Sequence, residues 1–317
     1  MTKITNIDKY RAFCKIEKDI PLFNQDWWLD AVCDKGYWDV ALVEKNNEII
    51  ASMPYYIKKK FIFTAITLPT LTQTMGPYIK YPKEQKYSTS LSWDKKIMQE
   101  LIEQLPKVDI FTQGFNYSII NTLPFYWRGY QLSIGYTYII DKLNNLEELF
   151  DSFSSSTRKE IRKAKKNGIE VIDSEDIETF YKINQITYKK QGLKIPYSLN
   201  FIKNLYQKGK ENNAVVMKFA LKDDEVYSVG LYFYDKERLY AVVGSSNREL
   251  KLYGSEYLLI WEMIQFASKK SLIFDFKGSM IERIESRMSS FGTIQKSYPI
   301  ITKTNSKLLR IGRDIIS

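Results

Sequence analysis

The sequence predicts an α/β protein with mixed sheets, built as two similar domains in tandem around a cleft. A length of 317 residues is typical of two domains, and the order of hairpin, helix, short strand, helix and long strand occurs once in each half. Gly114 and Gly278 follow corresponding short strands and stand 164 residues apart. The same offset aligns the predicted helix at 91–105 with the predicted helix at 255–269 in the sequence. Since residue identity between the halves is low, the repeat is one of element order.

Hydrophobic periodicity defines the elements of the first half. Alternating segments flank Asn46-Asn47, a turn signal of a β-hairpin. Apolar residues at helical spacing follow at Ile97, Leu101 and Leu105. The predicted elements are a hairpin at 39–44 and 48–56, a helix at 90–105, a strand at 108–112, a second short helix, and a strand at 130–140.

The second half has the same signals in the same order. Asp223-Asp224 marks the turn of its hairpin, and a short apolar strand ends in Lys277-Gly278. The predicted elements are a hairpin at 214–221 and 225–234, a strand at 238–245, a helix at 255–269, a strand at 272–276, a helix at 281–290, and a strand at 293–302.

The most polar stretch, residues 151–168, lies between the halves. Thr157 or Ser156 can cap a helix there and Gly168 can end it, so a linker helix over 157–167 is predicted. We assign this helix to the second domain. The expected domains are residues 1–141 and 142–317.

Composition excludes several classes of chemistry. Hydrophobic residues make up 44% and charged residues 26%, the balance of an ordinary globular protein. With no histidine, the chain cannot build a Ser-His-Asp unit or a His-ligated metal site, and no metal is expected. Two cysteines cannot form a disulfide framework, so a reducing cytoplasm is the expected location. No apolar segment is long enough to predict a membrane span.

The net charge of +10, from 47 basic and 37 acidic residues, favours phosphate-bearing partners. Coenzyme A, nucleotide sugars, tRNA and anionic lipid surfaces all fit, and solubility alone is the alternative explanation of the charge. On the linker helix, Arg158 and Arg162 share one face with Lys165 or Lys166. This face is either a solvated helix surface or a site that holds phosphates.

Four short motifs lie along the chain in a fixed order, at 69–77, 154–168, 274–279 and 290–292. With the element order, they resemble the GNAT superfamily of acyltransferases, and the tandem arrangement is similar to the Fem-type, FemAB-related group. The resemblance covers nearly the whole chain. It implies two GNAT-like domains joined through the basic linker helix, and an N-acyltransferase with a role in cell wall biogenesis.

The loop at 245–256 is the expected donor site, because it joins a strand to a helix whose amides can meet a pyrophosphate. Coenzyme A enzymes of the superfamily usually have a second small residue where this chain has Glu256, and a carboxylate there repels phosphate. The co-substrate therefore stays open between a coenzyme A thioester and aminoacyl-tRNA, with no permanently bound cofactor. Alternatively, Gly254 only allows a tight turn and Ser255 only caps the helix. The expected donor-binding residues are Ser245, Ser246, Asn247, Arg248, Lys251, Gly254 and Ser255.

Asp275 is the expected catalytic carboxylate, because it lies between Phe274 and Phe276 near the end of a short apolar strand, where burial would raise its pKa. Lys277 would pair with it or bind an anionic acceptor. A structural aspartate that accepts bonds from loop amides is the alternative. The Fem-type enzymes commonly carry a Phe-Lys pair where this chain has Arg287-Met288, so Arg283 or Arg287 is the expected substitute cation.

The acceptor is expected to contact Arg158, Arg162 and Arg287, together with two strand tyrosines, Tyr56 and Tyr240, on which a sugar could stack. The predicted function is transfer of an acyl or aminoacyl group from acyl-CoA or aminoacyl-tRNA to an amine of a cell-envelope or polysaccharide precursor. A peripheral association with the envelope is compatible with this. The alternative is a non-catalytic module that binds RNA or an anionic ligand through the basic helix.

Overall fold

The structure, a computed structural model, describes residues 4–82 and 84–309. Its first elements are α1 (Asn6–Ile16), a short 3-10 helix (Leu22–Asn24), α2 (Asp26–Val32), β1 (Tyr37–Lys45), β2 (Glu48–Lys60), β3 (Phe63–Thr67), β4 (Tyr78–Ile79), α3 (Tyr87–Glu103), β5 (Ile110–Gly114), α4 (Leu123–Trp127) and β6 (Gln131–Ile140). They are followed by α5 (Leu146–Ser152), α6 (Ser155–Lys166), β7 (Glu170–Asp173), α7 (Ile177–Lys190), α8 (Leu199–Glu211), β8 (Val215–Lys222), β9 (Glu225–Tyr234), β10 (Arg238–Ser246), α9 (Ser255–Lys269), β11 (Ile273–Asp275), α10 (Glu282–Ser289) and β12 (Ile294–Thr304). None of the described helices combines the length and hydropathy needed to cross a bilayer.

The chain forms two compact units. The first contains the described residues up to Gly135 and from Ser297 onward, and the second contains Tyr136–Lys296. β6 runs from the first unit into the second, and β12 returns to the first. The last strand thus contributes most of its residues to the first unit, whereas the sequence placed it with the second domain.

The strands of the first unit are ordered β1-β2-β3-β5-β12, with β4 beside β2. Among the described strands of this unit, β3 and β5 pair in parallel, and the pairs β1-β2, β2-β3, β2-β4 and β5-β12 are antiparallel. Apolar residues of α3 at helical spacing pack on this sheet, because Ile97, Met98 and Leu101 are buried in one cluster with strand residues such as Phe111 and Ile301. The sheet is therefore mixed, as predicted.

The strands of the second unit are ordered β6-β11-β10-β9-β8-β7, and only β10 and β11 pair in parallel. α9 covers the sheet with buried residues that include Leu258, Met263 and Ile264. Each unit therefore has a mixed sheet with one parallel pair, in line with the repeat of element order. The predicted bounds of α9, residues 255–269, match those of the structure.

Candidate active site

A cavity of about 290 Å³ lies in the second unit, beside the half of β10 that has no parallel neighbour. β10 and β11 pair only from Arg238–Tyr240 to Ile273–Asp275. Beyond this point β10 continues to Ser246. The segment that follows β11 turns away from β10 through Lys277 and Gly278, which both have positive φ. The strand pair opens there, and the opening is lined by residues of β9, β10, α7, α9 and α10.

The cavity combines an apolar interior with charged groups. Its buried apolar lining includes Val229, Tyr232, Leu259 and Phe276. Its charged lining residues are Arg248, Glu256, Arg283 and Arg287. Among the described residues that line this cavity, Glu256 carries the only carboxylate. An apolar site with a few convergent charged groups is the usual form of a small-molecule site.

Glu256 is held by three neighbours. The Ser246 hydroxyl donates to its Oε2 at 2.9 Å, and the guanidinium of Arg248 lies 3.2 Å from the same oxygen. The guanidinium of Arg287 lies 3.2 Å from Oε1. The carboxylate side chain is 15% exposed, whereas the arginine side chains are 35% and 32% exposed. Glu256 is therefore held in place and largely enclosed, and the two more exposed arginines balance its negative charge.

The start of α9 lies close against α6. Gly254 caps the helix with φ +85°, and a Cβ on it would lie 2.3 Å from the carbonyl oxygen of Glu160 in α6. The amides of Ser255 and Tyr257 donate to the carbonyls of Leu252 and Gly254, at 2.8 and 3.0 Å. The glycine thus permits a close approach between two helices, and two of the amides at the helix start are used within the chain.

The predicted donor-binding residues separate into two groups. Ser245, Ser246 and Arg248 line the cavity. The remaining four, Asn247, Lys251, Gly254 and Ser255, are not among its lining residues. Ser255 is fully buried, with its hydroxyl 2.7 Å from that of Ser228. The structure therefore brings only part of the predicted loop to the cavity.

Two lining residues on α7 were not predicted. Thr187 donates from Oγ1 to the carbonyl of Ser246 at 2.8 Å, and Gln191 follows one turn later at the end of the helix. Asn184, one turn earlier, accepts from the hydroxyl of Ser245 at 2.9 Å. The helical spacing of Phe180, Ile183 and Thr187 is the sequence signal that could have indicated α7, but no helix was predicted there.

Asp275 and Lys277 flank the cavity wall without lining it, and Phe276 between them is the residue that reaches the cavity. Asp275 is buried, and its Oδ1 accepts from the hydroxyl of Thr137 at 2.6 Å and from the amide of Lys277 at 2.8 Å. Burial raises the pKa of Asp275. Burial also lowers the pKa of Lys277 to about 8, against the opposing effect of Asp275. The catalytic role assigned to both residues stays a prediction.

Substitutions at Asp275 measure what its two hydrogen bonds contribute. Because one oxygen accepts both, Asp275→Asn can keep them, whereas Asp275→Ala leaves two donors without an acceptor. We expect the alanine variant to be less stable than the asparagine variant by about 1 to 3 kcal/mol for each buried donor left unpaired. Urea denaturation of the two variants measures the difference, and equal stabilities would contradict this account.

The pH dependence of the same variants follows from the raised pKa of Asp275. A carboxyl whose pKa is raised by folding contributes stability that is present at acidic pH and lost as pH rises through the folded-state pKa. Wild type therefore lacks at pH 7 some of the stability that this carboxyl contributes at acidic pH, whereas Asp275→Asn has no titrating group at this position and does not lose it. We expect the free energy of unfolding of Asp275→Asn, relative to wild type, to be larger at pH 7 than at pH 4.

On the linker helix α6, Arg158 and Arg162, which were predicted to bind phosphate, contact other residues of the chain. Arg158 donates to the carbonyls of Asp151 and Phe153, the latter at 3.0 Å, and Arg162 lies 5.7 Å from the centre of the Phe150 ring. The hydroxyls of Thr157 and Ser290 are 2.7 Å apart, which ties α6 to the end of α10. The N-cap is Ser154, whose hydroxyl accepts from the amide of Thr157, in place of the predicted Ser156 or Thr157.

The other predicted acceptor residues lie in different places. Tyr56 is buried in a core cluster of the first unit, on β2. Tyr240 is buried in the second unit and donates its hydroxyl to Asp235 at 3.2 Å. Neither is among the residues that line the cavity, whereas Arg287 is. Within residues 4–82 and 84–309, no group of three or more His, Cys, Asp or Glu is placed to hold a metal ion.

Comparison with known proteins finds a matching domain family and solved structures with a similar fold. Residues 151–279 match the family model described as an acetyltransferase (GNAT) domain. The chain is similar to the crystal structure of FemX at 16% identity and a TM-score of 0.68, over 94% of this chain and 96% of that one. L-PGS from Bacillus licheniformis has a TM-score of 0.53 at 10% identity, over 89% of both chains. A tandem GNAT protein from the clavulanic acid biosynthesis pathway has a TM-score of 0.50 at 7% identity, over 85% of this chain and 83% of that one.

Residues 151–279, which lie in the second unit, thus match a GNAT domain. More particularly, the chain has the tandem fold of the Fem-type proteins, and the resemblance inferred from the sequence motifs is confirmed. A search of curated protein sequences finds no match.

Proposed function

We propose that the chain is an N-acyltransferase that moves an aminoacyl or acyl group from an activated donor to an amine, and that the reaction takes place at the cavity beside β10. The observation that carries the proposal is the single enclosed carboxylate, Glu256, in a cavity that also offers three guanidinium groups. We also propose that the reaction takes place in the cytoplasm, in keeping with the expectation from the cysteine content.

The proposed chemistry needs positioning and one proton acceptor. The amine attacks the carbonyl carbon of the donor, so that a C–N bond forms and the C–O or C–S bond to the carrier breaks. Glu256 accepts the proton that the attacking nitrogen loses, and the leaving oxygen or sulfur takes up a proton in turn. Arg248, Arg283 and Arg287 supply positive charge to the carbonyl oxygen or to a donor phosphate.

Aminoacyl-tRNA is the donor that we propose over acyl-CoA. The amides of Ser255 and Tyr257 are already used, and the start of α9 faces the carboxylates of Glu160 and Glu256. A pyrophosphate would therefore meet negative charge where coenzyme A enzymes offer free amides. A donor whose phosphates meet arginine side chains avoids this conflict.

The acceptor that we propose is an amine of a cell-envelope or polysaccharide precursor, in keeping with the resemblance to the Fem-type group. For Asp275 we propose a positioning role, because its bond to the amide of Lys277 fixes the turn that presents Phe276 to the cavity. We propose that Lys277 provides a positive charge within this turn.

A transfer assay with two donors tests the proposal. Purified protein is incubated with a mixture of radiolabelled aminoacyl-tRNAs or with radiolabelled acetyl-CoA, and with acceptors that include a nucleotide-linked muramyl pentapeptide, glucosamine and free amino acids. We expect label to reach an amine from aminoacyl-tRNA at least tenfold faster than from acetyl-CoA. Transfer from acetyl-CoA alone would overturn the donor, and tRNA binding without transfer to any acceptor would favour the non-catalytic alternative.

A further inference from the structure

The turn between β2 and β3 has an unusual sequence for its geometry. Three hairpins in the part of the chain that the structure describes turn through two residues, at Asn46-Asn47, Phe61-Ile62 and Asp223-Asp224. Each has positive φ, between 50° and 63° at the asparagines and aspartates and 55° at Phe61. Asn and Asp tolerate this conformation, whereas it is an outlier for a bulky side chain.

The same turn exposes both of its side chains. Phe61 is 91% exposed and Ile62 is 81% exposed. Packing within the chain therefore explains neither the choice of these residues nor the backbone strain at Phe61. Strain and exposed apolar surface at one site point to a function that is carried out there.

Lysines precede this turn. The sequence has three consecutive lysines at 58–60, directly before Phe61. On the strand that follows the turn, the amide and the hydroxyl of Thr64 donate to the carboxylate of Asp109, so this nearby negative charge is already engaged within the chain.

We propose that this hairpin tip, defined as residues 58–62, binds the surface of an anionic lipid bilayer. Two apolar side chains at the tip would enter the boundary of the acyl chains, while Lys58 and Lys59 behind them would meet lipid phosphates. This order of apolar and cationic groups along the hairpin matches the order of layers in a bilayer. An aliphatic residue such as Ile62 provides no ring on which a base could stack, which favours lipid over RNA. The binding is peripheral and independent of the proposed transfer reaction.

Sedimentation with vesicles tests this inference on the full chain. Vesicles of phosphatidylcholine are compared with vesicles that contain equal parts phosphatidylcholine and phosphatidylglycerol. The double variant Phe61→Gly, Ile62→Asn removes the apolar tip and supplies residues that suit a turn with positive φ at its first position. We expect it to bind anionic vesicles at least tenfold more weakly than wild type, with a melting temperature equal to or above that of wild type.

Two further variants separate the contributions. Lys58→Gln with Lys59→Gln is expected to weaken binding to anionic vesicles by about fivefold per lysine, and 0.5 M salt should weaken wild-type binding as well. Leu193→Asn, which removes an exposed leucine of the second unit, is the control and should leave binding unchanged. Equal binding of wild type and the Phe61, Ile62 variant would overturn the proposal. So would a loss confined to binding of an RNA oligonucleotide, which would assign the tip to nucleic acid.

Discussion

Glu256→Gln is expected to lower the rate of transfer by about a hundred- to ten-thousand-fold, the range typical of removing a general base. Glutamine keeps an oxygen that can accept from the Ser246 hydroxyl, but it cannot take a proton from the attacking amine. The arginines that lose their partner are about one third exposed, so water can solvate them. We therefore expect the free energy of unfolding to change by no more than about 1 kcal/mol.

Glu262→Gln is the matched control, since Glu262 belongs to the same helix and is not among the residues that line the cavity. Its transfer rate should equal that of wild type. Single-turnover measurements with preloaded donor distinguish loss of chemistry from loss of binding. A Glu256→Gln variant that transfers at the wild-type rate would remove the proton acceptor from the proposed mechanism.

Gly254→Ala is expected to have the second largest effect, this time on stability. A methyl group there would lie 2.3 Å from the carbonyl oxygen of Glu160, and the residue would have to keep φ +85°. Left-handed strain and a backbone clash together should lower the free energy of unfolding by about 2 to 5 kcal/mol. Because Glu256 lies two residues further on, we also expect loss of transfer. Urea denaturation followed by circular dichroism measures the first effect.

Gly192→Ala separates the two causes. Gly192 has φ +69°, but no described atom lies within 4 Å of the position of its added methyl group. It should therefore lose only about 1 to 2 kcal/mol, the cost of left-handed backbone for a residue with a side chain. If Gly254→Ala were no more destabilising than Gly192→Ala, the close approach of α6 and α9 would not be the reason for the glycine.

Local signals in the sequence predicted the framework of both units. Asn46-Asn47 and Asp223-Asp224 fixed two hairpins, and the apolar spacing of residues 255–269 fixed α9. These signals are reliable because turn geometry and helix amphipathicity depend on neighbours in the sequence. The helix α7 was not predicted, although it supplies Thr187 to the cavity.

The site was harder to predict because its contacts join residues that are distant in the sequence. Gly254 indicated a phosphate loop, yet it meets the carbonyl of Glu160 nearly a hundred residues earlier. Arg158 indicated a phosphate ligand, yet it donates to two carbonyls at the end of α5. In the sequence, Glu256 was notable only as a departure from the coenzyme A pattern. Its ion pair with Arg287 joins α9 and α10 and depends on how these helices approach each other in the fold.

The path of β12 has a consequence for the order in which the chain folds. Residues 300–304 pair with residues 110–114 of β5, although the whole second unit lies between them in the sequence. During synthesis, the first unit is therefore made almost entirely before the strand that completes its sheet. Pairing across so long a loop is slow, and β5 keeps an unpaired row of backbone groups until it occurs. The sheet of the first unit is consequently completed only after the whole second unit has been synthesised.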